Sequence, residues 1–268
     1  MMSEIHSSAV IEPGAVLGEN VVVEPYAYIG ARAKIGDGVV IKQGARILGA
    51  TTIGAKSRIF SYAAIGDIPQ DISYKEGELE TGVVIGEGST VREFATINSG
   101  TAKGDGFTRI GANAFIMAYC HIAHDCKLGR NVIMANNATL AGHIELGDFV
   151  VVGGMTPIHQ FVKVGEGAMI AGASALSQDI VPFCLAEGNR AKIRSLNLVG
   201  IRRRFDKDEV ERINKAYRFL FDGKDLKANA TALLSQGCES ENVKKMCEFI
   251  LNTTRGIPVY RGKHDETM

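Results

Sequence analysis

A run of aliphatic side chains with a period of six is the feature that most constrains the fold of this 268-residue chain. Neither an α-helix, with about 3.6 residues per turn, nor a strand, with a period of two, produces such spacing. The period therefore marks an internal repeat that sets the architecture. The first run comprises Ile5, Ile11, Leu17, Val23, Ile29, Ile35, Ile41, Ile47, Ile53, Ile59 and Ile65, and the second comprises Ile110, Ile116, Ile122, Leu128, Met134, Leu140, Leu146, Val152, Ile158, Val164, Ile170 and Leu176.

The other positions of each six-residue unit, or hexad, indicate a short strand followed by a tight corner. A small or β-branched residue usually stands four positions after the aliphatic one, as at Ala9, Ala27 and Ala45. Gly or Asn often precedes it, and both tolerate the positive φ that a tight corner requires. The corner residues of this kind are Gly14, Asn20, Gly38, Gly44, Asn113, Asn131, Asn137 and Gly167. Three hexads then close one triangular coil, and successive coils stack at about 4.8 Å.

Composition and charge narrow the classes of function. The formal net charge is zero, which disfavours nucleic acid and anionic membranes as partners. No stretch approaches the length of a transmembrane helix, and the N-terminus lacks the pattern of a secretory signal. Cys120 and Cys126 fall on the inward small-residue position, so buried thiols are predicted rather than disulfides. We expect a cytoplasmic protein without stable membrane insertion.

Two interruptions of the hexad phase predict loops that protrude from the solenoid, near residues 67–84 and 99–109. Insertions into a solenoid must leave its wall, and such loops commonly line binding faces.

After residue 188 the hydrophobic period becomes helical. Asp206 and Glu209 have the spacing of a helix start, and Gly223 provides a stop. The sequence therefore predicts a β-solenoid domain over 1–188 and an α-helical domain over 189–268.

Four of the six histidines lie between positions 121 and 159, and coil arithmetic places them together. Residues eighteen apart occupy the same place on successive coils, so His124, Gly142 and Gln160 form one column. The neighbours of this column complete a cluster within two coil rises, about 10 Å. Its members are His121, His124, Gly142, His143, His159 and Gln160.

Three interpretations of this cluster compete. The histidines are ordinary surface residues, or they bind zinc with an open position for water, as in a γ-class carbonic anhydrase built on the same solenoid. In the third interpretation one imidazole is the general base of an acyl transfer that needs no metal. A structural solenoid without chemistry is a further alternative, although its surface rows would be regular.

The hexads resemble those of the hexapeptide-repeat transferases. The segment that contains HIAHD, with AGH and HQF in register, is more specific. Through it, and over essentially the whole chain, the sequence resembles the UDP-N-acetylglucosamine O-acyltransferase family. The resemblance implies an all-β solenoid, a left-handed parallel β-helix in the form of a triangular prism, followed by a small all-α C-terminal domain.

The resemblance also implies the reaction. An (R)-3-hydroxyacyl chain would pass from acyl carrier protein to the 3-position of UDP-N-acetylglucosamine, or of a 3-amino analogue, as the first step of lipid A biosynthesis. The acyl carrier protein thioester is the donor, and no other cofactor or metal is expected. A homotrimer, with each active site between two subunits, is implied as well.

Two catalytic residues are carried over from the resemblance, and a third follows from the position of Gly142 one coil above His124. His124 matches the general base, and imidazole suits this role because its ordinary pKa lies near neutral pH. Asp125 matches the carboxylate that orients the base, which requires an unusual corner geometry since adjacent strand residues normally face opposite ways. Gly142 is expected to stabilise the oxyanion through its backbone N–H, and its missing side chain would let the thioester carbonyl approach.

Substrate contacts are carried over residue by residue. The family's Lys two positions after Asp71 is replaced here by Ser73, and we expect Lys75 to substitute for it. Gly172 lies where a bulkier side chain would shorten the acyl-binding site. The expected contacts with substrate or partner are Gln70, Asp71, Lys75, His121, His143, His159, Gln160, Gly172, Asn197, Arg203 and Arg204.

Overall fold

The computed structural model of the protein describes residues 3–223 and 225–259. It is a left-handed parallel β-helix followed by four α-helices, which confirms the predicted fold class. Residues 1–2, 224 and 260–268 of the predicted domains lie outside the described residues.

Three sheets form the walls of the prism, and most strands are only two residues long because the corner takes up the rest of each hexad. The first wall contains Glu4–Ile5, Val22–Val23, Val40–Ile41, Arg58–Ile59, Thr90–Val91, Phe115–Ile116, Ile133–Met134, Val151–Val152, Met169–Ile170, Cys184–Glu187 and Lys192–Leu196. The second wall contains Val10–Ile11, Tyr28–Ile29, Arg46–Ile47, Ala64–Asp67, Thr96–Asn98, His121–Ile122, Thr139–Leu140 and Pro157–Ile158. The third wall contains Val16–Leu17, Lys34–Ile35, Thr52–Ile53, Gly82–Ile85, Phe107–Ile110, Lys127–Leu128, Glu145–Leu146 and Lys163–Val164.

The coils have the predicted register and core. On the first wall Ile116, Met134 and Val152 are paired in sequence, so one coil is eighteen residues. The second residue of nearly every strand points inward, and Ile29, Ile122 and their equivalents are fully buried. Burying an aliphatic side chain contributes about 1.5–3 kcal/mol, so the repeated column is the main source of stability.

The predicted Gly and Asn corner residues have positive φ, but aromatic residues occupy the same conformation elsewhere. Tyr62, Phe94 and Tyr119 stand at one corner of successive coils with φ between 56° and 62°. Their rings stack, with centroids 5.4 Å and 5.2 Å apart. Stacking stabilises such pairs by about 0.5–1.5 kcal/mol, which offsets the strain of the left-handed backbone.

The outward positions of two walls differ in chemistry. Each two-residue strand presents its first residue to the surface. On the first wall these residues are mostly apolar: Val22, Val40, Phe115, Ile133, Val151 and Met169. On the third wall many are charged: Lys34, Arg109, Lys127, Glu145 and Lys163. An apolar stripe along one wall is typical of a protein–protein contact surface.

Two loops leave the prism at one of its corners. The first loop, residues 68–81, follows the strand Ala64–Asp67 of the second wall, and the second loop, residues 99–106, follows Thr96–Asn98 on the next coil. Both return to the third wall. They therefore emerge at the same corner of the prism and lie one above the other.

The C-terminal end of the prism is covered. Cys184–Glu187 extends the first wall, and Lys192–Leu196 pairs with it in antiparallel fashion. The helices are α1 (Leu198–Arg202), α2 (Lys207–Leu220), α3 (Leu226–Ser235) and α4 (Glu241–Asn252). Within the described ranges, no helix combines the length and the apolar character needed to cross a bilayer.

The start of α2 is predicted correctly, but its cap differs in detail. The Asp206 carboxylate accepts the Glu209 N–H at 2.8 Å. The Glu209 side chain does not return to Asp206 but accepts hydrogen bonds from Ser240 and Asn242 at the start of α4. Asp206 thus caps α2, while the Glu209 side chain joins α2 to α4.

Candidate active site

The central feature of the site is a pair of adjacent residues at the corner that follows His121–Ile122. His124 Nδ1 lies 2.8 Å from Asp125 Oδ2. Adjacent side chains can meet because Asp125 adopts a left-handed conformation, with φ of 59°. The corner geometry that this pairing requires is therefore present.

Asp125 is buried and held by several hydrogen bonds. The Thr101 N–H donates to Oδ1 at 2.9 Å, and the Thr101 hydroxyl donates to Oδ2 at 2.8 Å. Burial opposes the charge of this carboxylate, but hydrogen bonds from His124 and Thr101 outweigh it and lower the pKa of Asp125. The side chain is consequently a carboxylate at neutral pH.

Gly142 lies directly above His124. A Cβ atom at position 142 would stand 2.6 Å from His124 Cε1 and 2.7 Å from Nε2. Real Cβ atoms do not approach so closely, so only glycine leaves room for the ring in this place. Besides giving access to its N–H, glycine at position 142 leaves the space that the ring of His124 occupies.

The N–H of Gly142 has no hydrogen-bond partner among the residues that the structure describes. The equivalent amide of four other corners donates to a carboxylate at 2.8–3.1 Å. Those pairs are Glu19 with Asp37, Ala31 with Glu12, Gln43 with Glu24 and Arg130 with Asp148. This corner position thus presents an N–H that binds anionic oxygen, and at Gly142 it is available.

Two further imidazoles adjoin the pair. His143 meets the His124 ring edge-on with centroids 5.1 Å apart, stacks on Phe161 and places Nε2 3.5 Å from Asp125 Oδ2. His121 Nδ1 is 2.7 Å from the Thr96 hydroxyl. Burial lowers the pKa of both, aided by the proximity of His124. Both rings are therefore neutral at pH 7 and can donate or accept hydrogen bonds.

His159 and Gln160 occupy the next coil. The pairing of His121, Thr139 and Pro157 on successive strands extends the column to their corner. Both are exposed, and the only contact that the structure records for the His159 ring is Nδ1 to the Gln160 carbonyl at 3.2 Å. Among the described residues, no contact joins them to His124.

The two loops meet beside the histidines through a lysine that the sequence analysis did not identify. Lys103 Nζ, in the second loop, lies 2.9 Å from Asp71 Oδ2 and 2.5 Å from Ser73 Oγ. Hydrogen bonds from Ser73 and Lys103 strongly lower the pKa of Asp71. Gln70 and Lys75 are exposed, and Lys75 lines a cavity of about 360 Å³ between the loops together with Asp71 and Lys103.

Register arithmetic would have revealed this meeting. Ala64, Thr96, His121 and Thr139 are paired on successive strands of the second wall. The corners that follow these strands carry the first loop, the second loop, His124 and Gly142, in that order. Any charged residue of either loop was therefore a candidate neighbour of the histidines.

The remaining predicted contacts lie elsewhere in the chain. Asn197 caps α1 by accepting the Gly200 N–H, and its Nδ2 donates to the Gly167 carbonyl. The Arg204 guanidinium pairs with Glu166, which follows the third wall rather than the second, and stacks on Phe149 at 3.9 Å. Within one chain, these residues are at a different corner from His124.

Arg203 is exposed after α1, and Gly172 is exposed at a corner of the last coils. A Cβ at Gly172 would meet only Gly154 backbone atoms at ordinary contact distances of 3.4 Å and more. Packing within the chain therefore does not require glycine at position 172.

The pair and His143 also have the spacing of a metal site. Ligand atoms of His124, Asp125 and His143 all lie within 4.8 Å of one another. Two imidazoles and a carboxylate are suitable ligands for zinc. The carboxylate, however, already faces donors from His124 and Thr101, which is the environment of an acid–base pair.

Comparisons with known proteins match the two parts of the chain to two family models. A family model described as bacterial transferase hexapeptide (six repeats) matches residues 14–49 and 107–142. A second, described as UDP N-acetylglucosamine O-acyltransferase, domain 2, matches residues 179–258. The prism and the C-terminal part of the chain are thus matched by separate family models.

Whole-length relatives are similar over almost every residue. A protein of Campylobacter jejuni subsp. jejuni serotype O:2 named acyl-[acyl-carrier-protein]–UDP-N-acetylglucosamine O-acyltransferase is 76% identical, over 98% of this chain and 100% of its own length. One of the same name from Campylobacter concisus is 67% identical over the same shares.

Solved structures show the same fold. The UDP-N-acetylglucosamine acyltransferase from Campylobacter jejuni has a TM-score of 0.93 at 76% identity, covering 96% of this chain and 100% of that one. The Arabidopsis enzyme of this name reaches a TM-score of 0.82 at 33% identity, with 95% and 99% covered. The chain belongs to the UDP-N-acetylglucosamine O-acyltransferase family.

Proposed function

We propose that the protein transfers an (R)-3-hydroxyacyl chain from acyl carrier protein to the 3-position of UDP-N-acetylglucosamine or its 3-amino analogue, as the first step of lipid A biosynthesis. The acceptor oxygen or nitrogen attacks the thioester carbonyl directly. The new C–O or C–N bond forms, the C–S bond breaks, and the carrier thiol leaves. Both substrates are water-soluble, so we place the reaction in the cytoplasm.

The observation that carries this proposal is the His124–Asp125 pair beneath Gly142. His124 takes the proton of the attacking group and returns it to the leaving thiolate, while Asp125 fixes the ring through Nδ1. The other ring nitrogen, Nε2, faces the space beside Gly142 that a side chain would otherwise fill. A general base in this position typically contributes about 10²–10⁴-fold in rate.

The available N–H of Gly142 supports a role in stabilising the oxyanion. Amides at the same position of other corners bind carboxylate oxygens, so the position suits negative oxygen. A buried amide is rarely left without an acceptor, and Gly142 is buried. Losing one such donor costs about 3–4 kcal/mol in a well-studied protease.

The distribution of the predicted contacts supports a homotrimer. His124 and Arg204 are at different corners of one prism, so a ligand that touches both would have to lie between neighbouring subunits. The apolar outward positions of the first wall, among them Phe115, Ile133 and Met169, offer a surface for such packing. Burying apolar surface contributes about 25 cal/mol per Å².

The test is product analysis with competing acceptors. We expect mass spectrometry to show one acyl chain on the 3-position when the protein is given both acceptors and a ladder of acyl carrier protein thioesters. His124→Ala should lower kcat at least about a hundredfold while the thermal unfolding midpoint stays near that of the wild type. Near-normal turnover by this variant would contradict the assignment of the base.

The spacing of His124, Asp125 and His143 keeps the metalloenzyme alternative testable. The proposed transfer needs no metal, because the base and the N–H donor supply the proton transfer and the oxyanion contact. We expect full activity after EDTA treatment. Stoichiometric zinc in the purified protein, together with activity lost to the chelator and restored by zinc, would favour the alternative.

A further inference from the structure

Thr101 is the last of three consecutive buried residues at the start of the second loop, and four exposed residues follow it. Its side chain is 3% exposed, whereas Ala102, Lys103, Gly104 and Asp105 are all exposed. The loop folds around it, because the N–H groups of Gly104 and Gly106 donate to the Thr101 carbonyl and that of Lys103 to its hydroxyl. The buried hydroxyl of Thr101 therefore lies in a network of hydrogen bonds rather than in an apolar core.

Both hydrogen-bond donors of Thr101 address a single carboxylate. The backbone N–H reaches Asp125 Oδ1 and the hydroxyl reaches Oδ2. Two donors on two oxygens fix the plane of the carboxylate as well as its position. Gly104 completes this arrangement, because a Cβ there would stand 2.3 Å from Asp125 Oδ1 and prevent the loop from closing.

The fixed plane matters because two imidazoles compete for the same oxygen. Asp125 Oδ2 is 2.8 Å from His124 Nδ1 and 3.5 Å from His143 Nε2. Because both rings approach the same oxygen, a rotation of the carboxylate would change its distances to both. The orientation set by Thr101 directs the carboxylate to His124.

We propose that Thr101 is a positioning residue for the acyl transfer, which holds Asp125 so that its carboxylate orients His124 rather than His143. The inference rests on the proposed function, in which His124 is the base. Thr101 does not touch the reacting atoms. Its effect therefore appears in kcat, while the binding of both substrates is unchanged.

The hydroxyl is tested by Thr101→Val, which keeps the shape and the backbone donor but loses both the side-chain donor to Asp125 and the acceptor of the Lys103 N–H. Hydrogen bonds to charged groups contribute about 1.5–3 kcal/mol, so we expect kcat to fall about tenfold to a hundredfold with both KM values unchanged. Thr101→Ser restores the donor and should bring kcat back to within about threefold of the wild type, since the charge-assisted bond is re-formed. Equal losses in the Val and Ser variants would overturn the proposal.

The chain offers a matched control in Thr108→Val. Thr108 is fully buried just after the same loop, and its hydroxyl has no hydrogen-bond partner among the described residues. The same substitution should leave kcat unchanged there. A comparable loss in this control would show that removing any buried hydroxyl near the loop disturbs the fold.

A double variant separates positioning from general damage. In the His124→Ala background, Thr101→Val should cause no further loss of the residual rate, because the group that Thr101 acts through is gone. A further tenfold loss would refute the proposal even if the single variant is poorly folded. Absence of product from the wild type would contradict both the proposed function and this inference. An active wild type with an equally active Thr101→Val variant would contradict only the inference.

Discussion

At the scale of single residues, the site depends on conformations that side chains usually avoid. Asp125 and His143 both have φ of 59°. A left-handed residue turns its side chain away from the alternation of the strand, which lets Asp125 face the ring of the residue before it. The same corner that closes the coil thus creates the acid–base pair.

Gly142→Ala should disable the base without changing its chemistry. The new Cβ would displace the His124 ring, which now lies within 2.7 Å of that position. Misplacing a catalytic group by about 1 Å can lower the rate about a hundredfold, and we expect a loss of that size in kcat, measured by initial rates at saturating substrates.

Gly30→Ala is the control for this substitution. Gly30 directly follows the strand Tyr28–Ile29, its φ is not positive, and a Cβ there would be 3.4 Å from the Ile47 carbonyl, an ordinary contact. We expect wild-type kcat and an unchanged unfolding midpoint. Normal turnover by the Gly142 variant would mean that the ring does not rest against position 142 during catalysis.

At the scale of elements, the two loops act together because they emerge at one corner on successive coils. Lys103 of the second loop reaches Asp71 and Ser73 of the first. The sequence analysis expected Lys75 to provide this charge, from its proximity along the chain. The structure places the contact across the loops, between residues thirty-two positions apart.

Lys103→Gln should raise the KM for the nucleotide sugar about tenfold, because Asp71 loses the donor that holds it beside the histidines. A charge-assisted hydrogen bond of about 1.5 kcal/mol corresponds to that factor. The KM for the acyl donor should not change. Steady-state kinetics with each substrate varied in turn make this distinction. Stability should change little, since exposed ion pairs contribute about 0–1 kcal/mol.

Lys75→Gln is the matched control, since Lys75 lines the same cavity but its ammonium has no recorded contact with Asp71. A larger effect of this variant would return the role to Lys75. The double variant Ser73→Lys with Lys103→Gln provides a rescue, because Ser73 Oγ already lies 2.5 Å from the ammonium. We expect it to recover most of the affinity for the acceptor.

Features that depend on spacing along the chain can be predicted from the sequence, whereas contacts between distant segments cannot. The hexad period predicts the walls, the eighteen-residue coil and the column of His124 beneath Gly142, because each depends on spacing alone. The positive φ of Tyr62 and Phe94 was not predictable in this way, since stacking between coils compensates for a strained backbone. The contact of Lys103 with Asp71 was not predicted, because a contact between two loops depends on where these two segments of the chain meet in space.

At the scale of the whole molecule, the predicted substrate contacts form two groups that remain apart in a single chain. One group surrounds His124, and the other contains Asn197 and Arg204. Asn197 uses both ends of its side chain to cap α1 and hold Gly167. Arg204 is engaged with Glu166. No pattern in one sequence states which surfaces of two copies meet, so the assembly is argued from the apolar stripe of the first wall.

Ile133→Glu tests this assembly. Ile133 is an exposed apolar residue of the stripe, and a buried carboxylate without a partner strongly disfavours association. We expect the variant to elute as a monomer in size-exclusion chromatography with light scattering, and to lose activity. Lys34→Glu, an outward charge of the third wall, should leave a trimer. A monomeric wild type with full activity would contradict the proposed arrangement.

The coil length of eighteen residues, which holds outside the two loops and the last coil, has a consequence for how such chains change length in evolution. Gaining or losing one complete coil would lengthen or shorten the prism by about 4.8 Å and leave every side chain on its wall. A deletion of a single residue within a coil would instead rotate all later positions out of phase, turning aliphatic side chains toward water. Within the prism, indels in relatives should therefore fall in the two loops, or else come in multiples of eighteen.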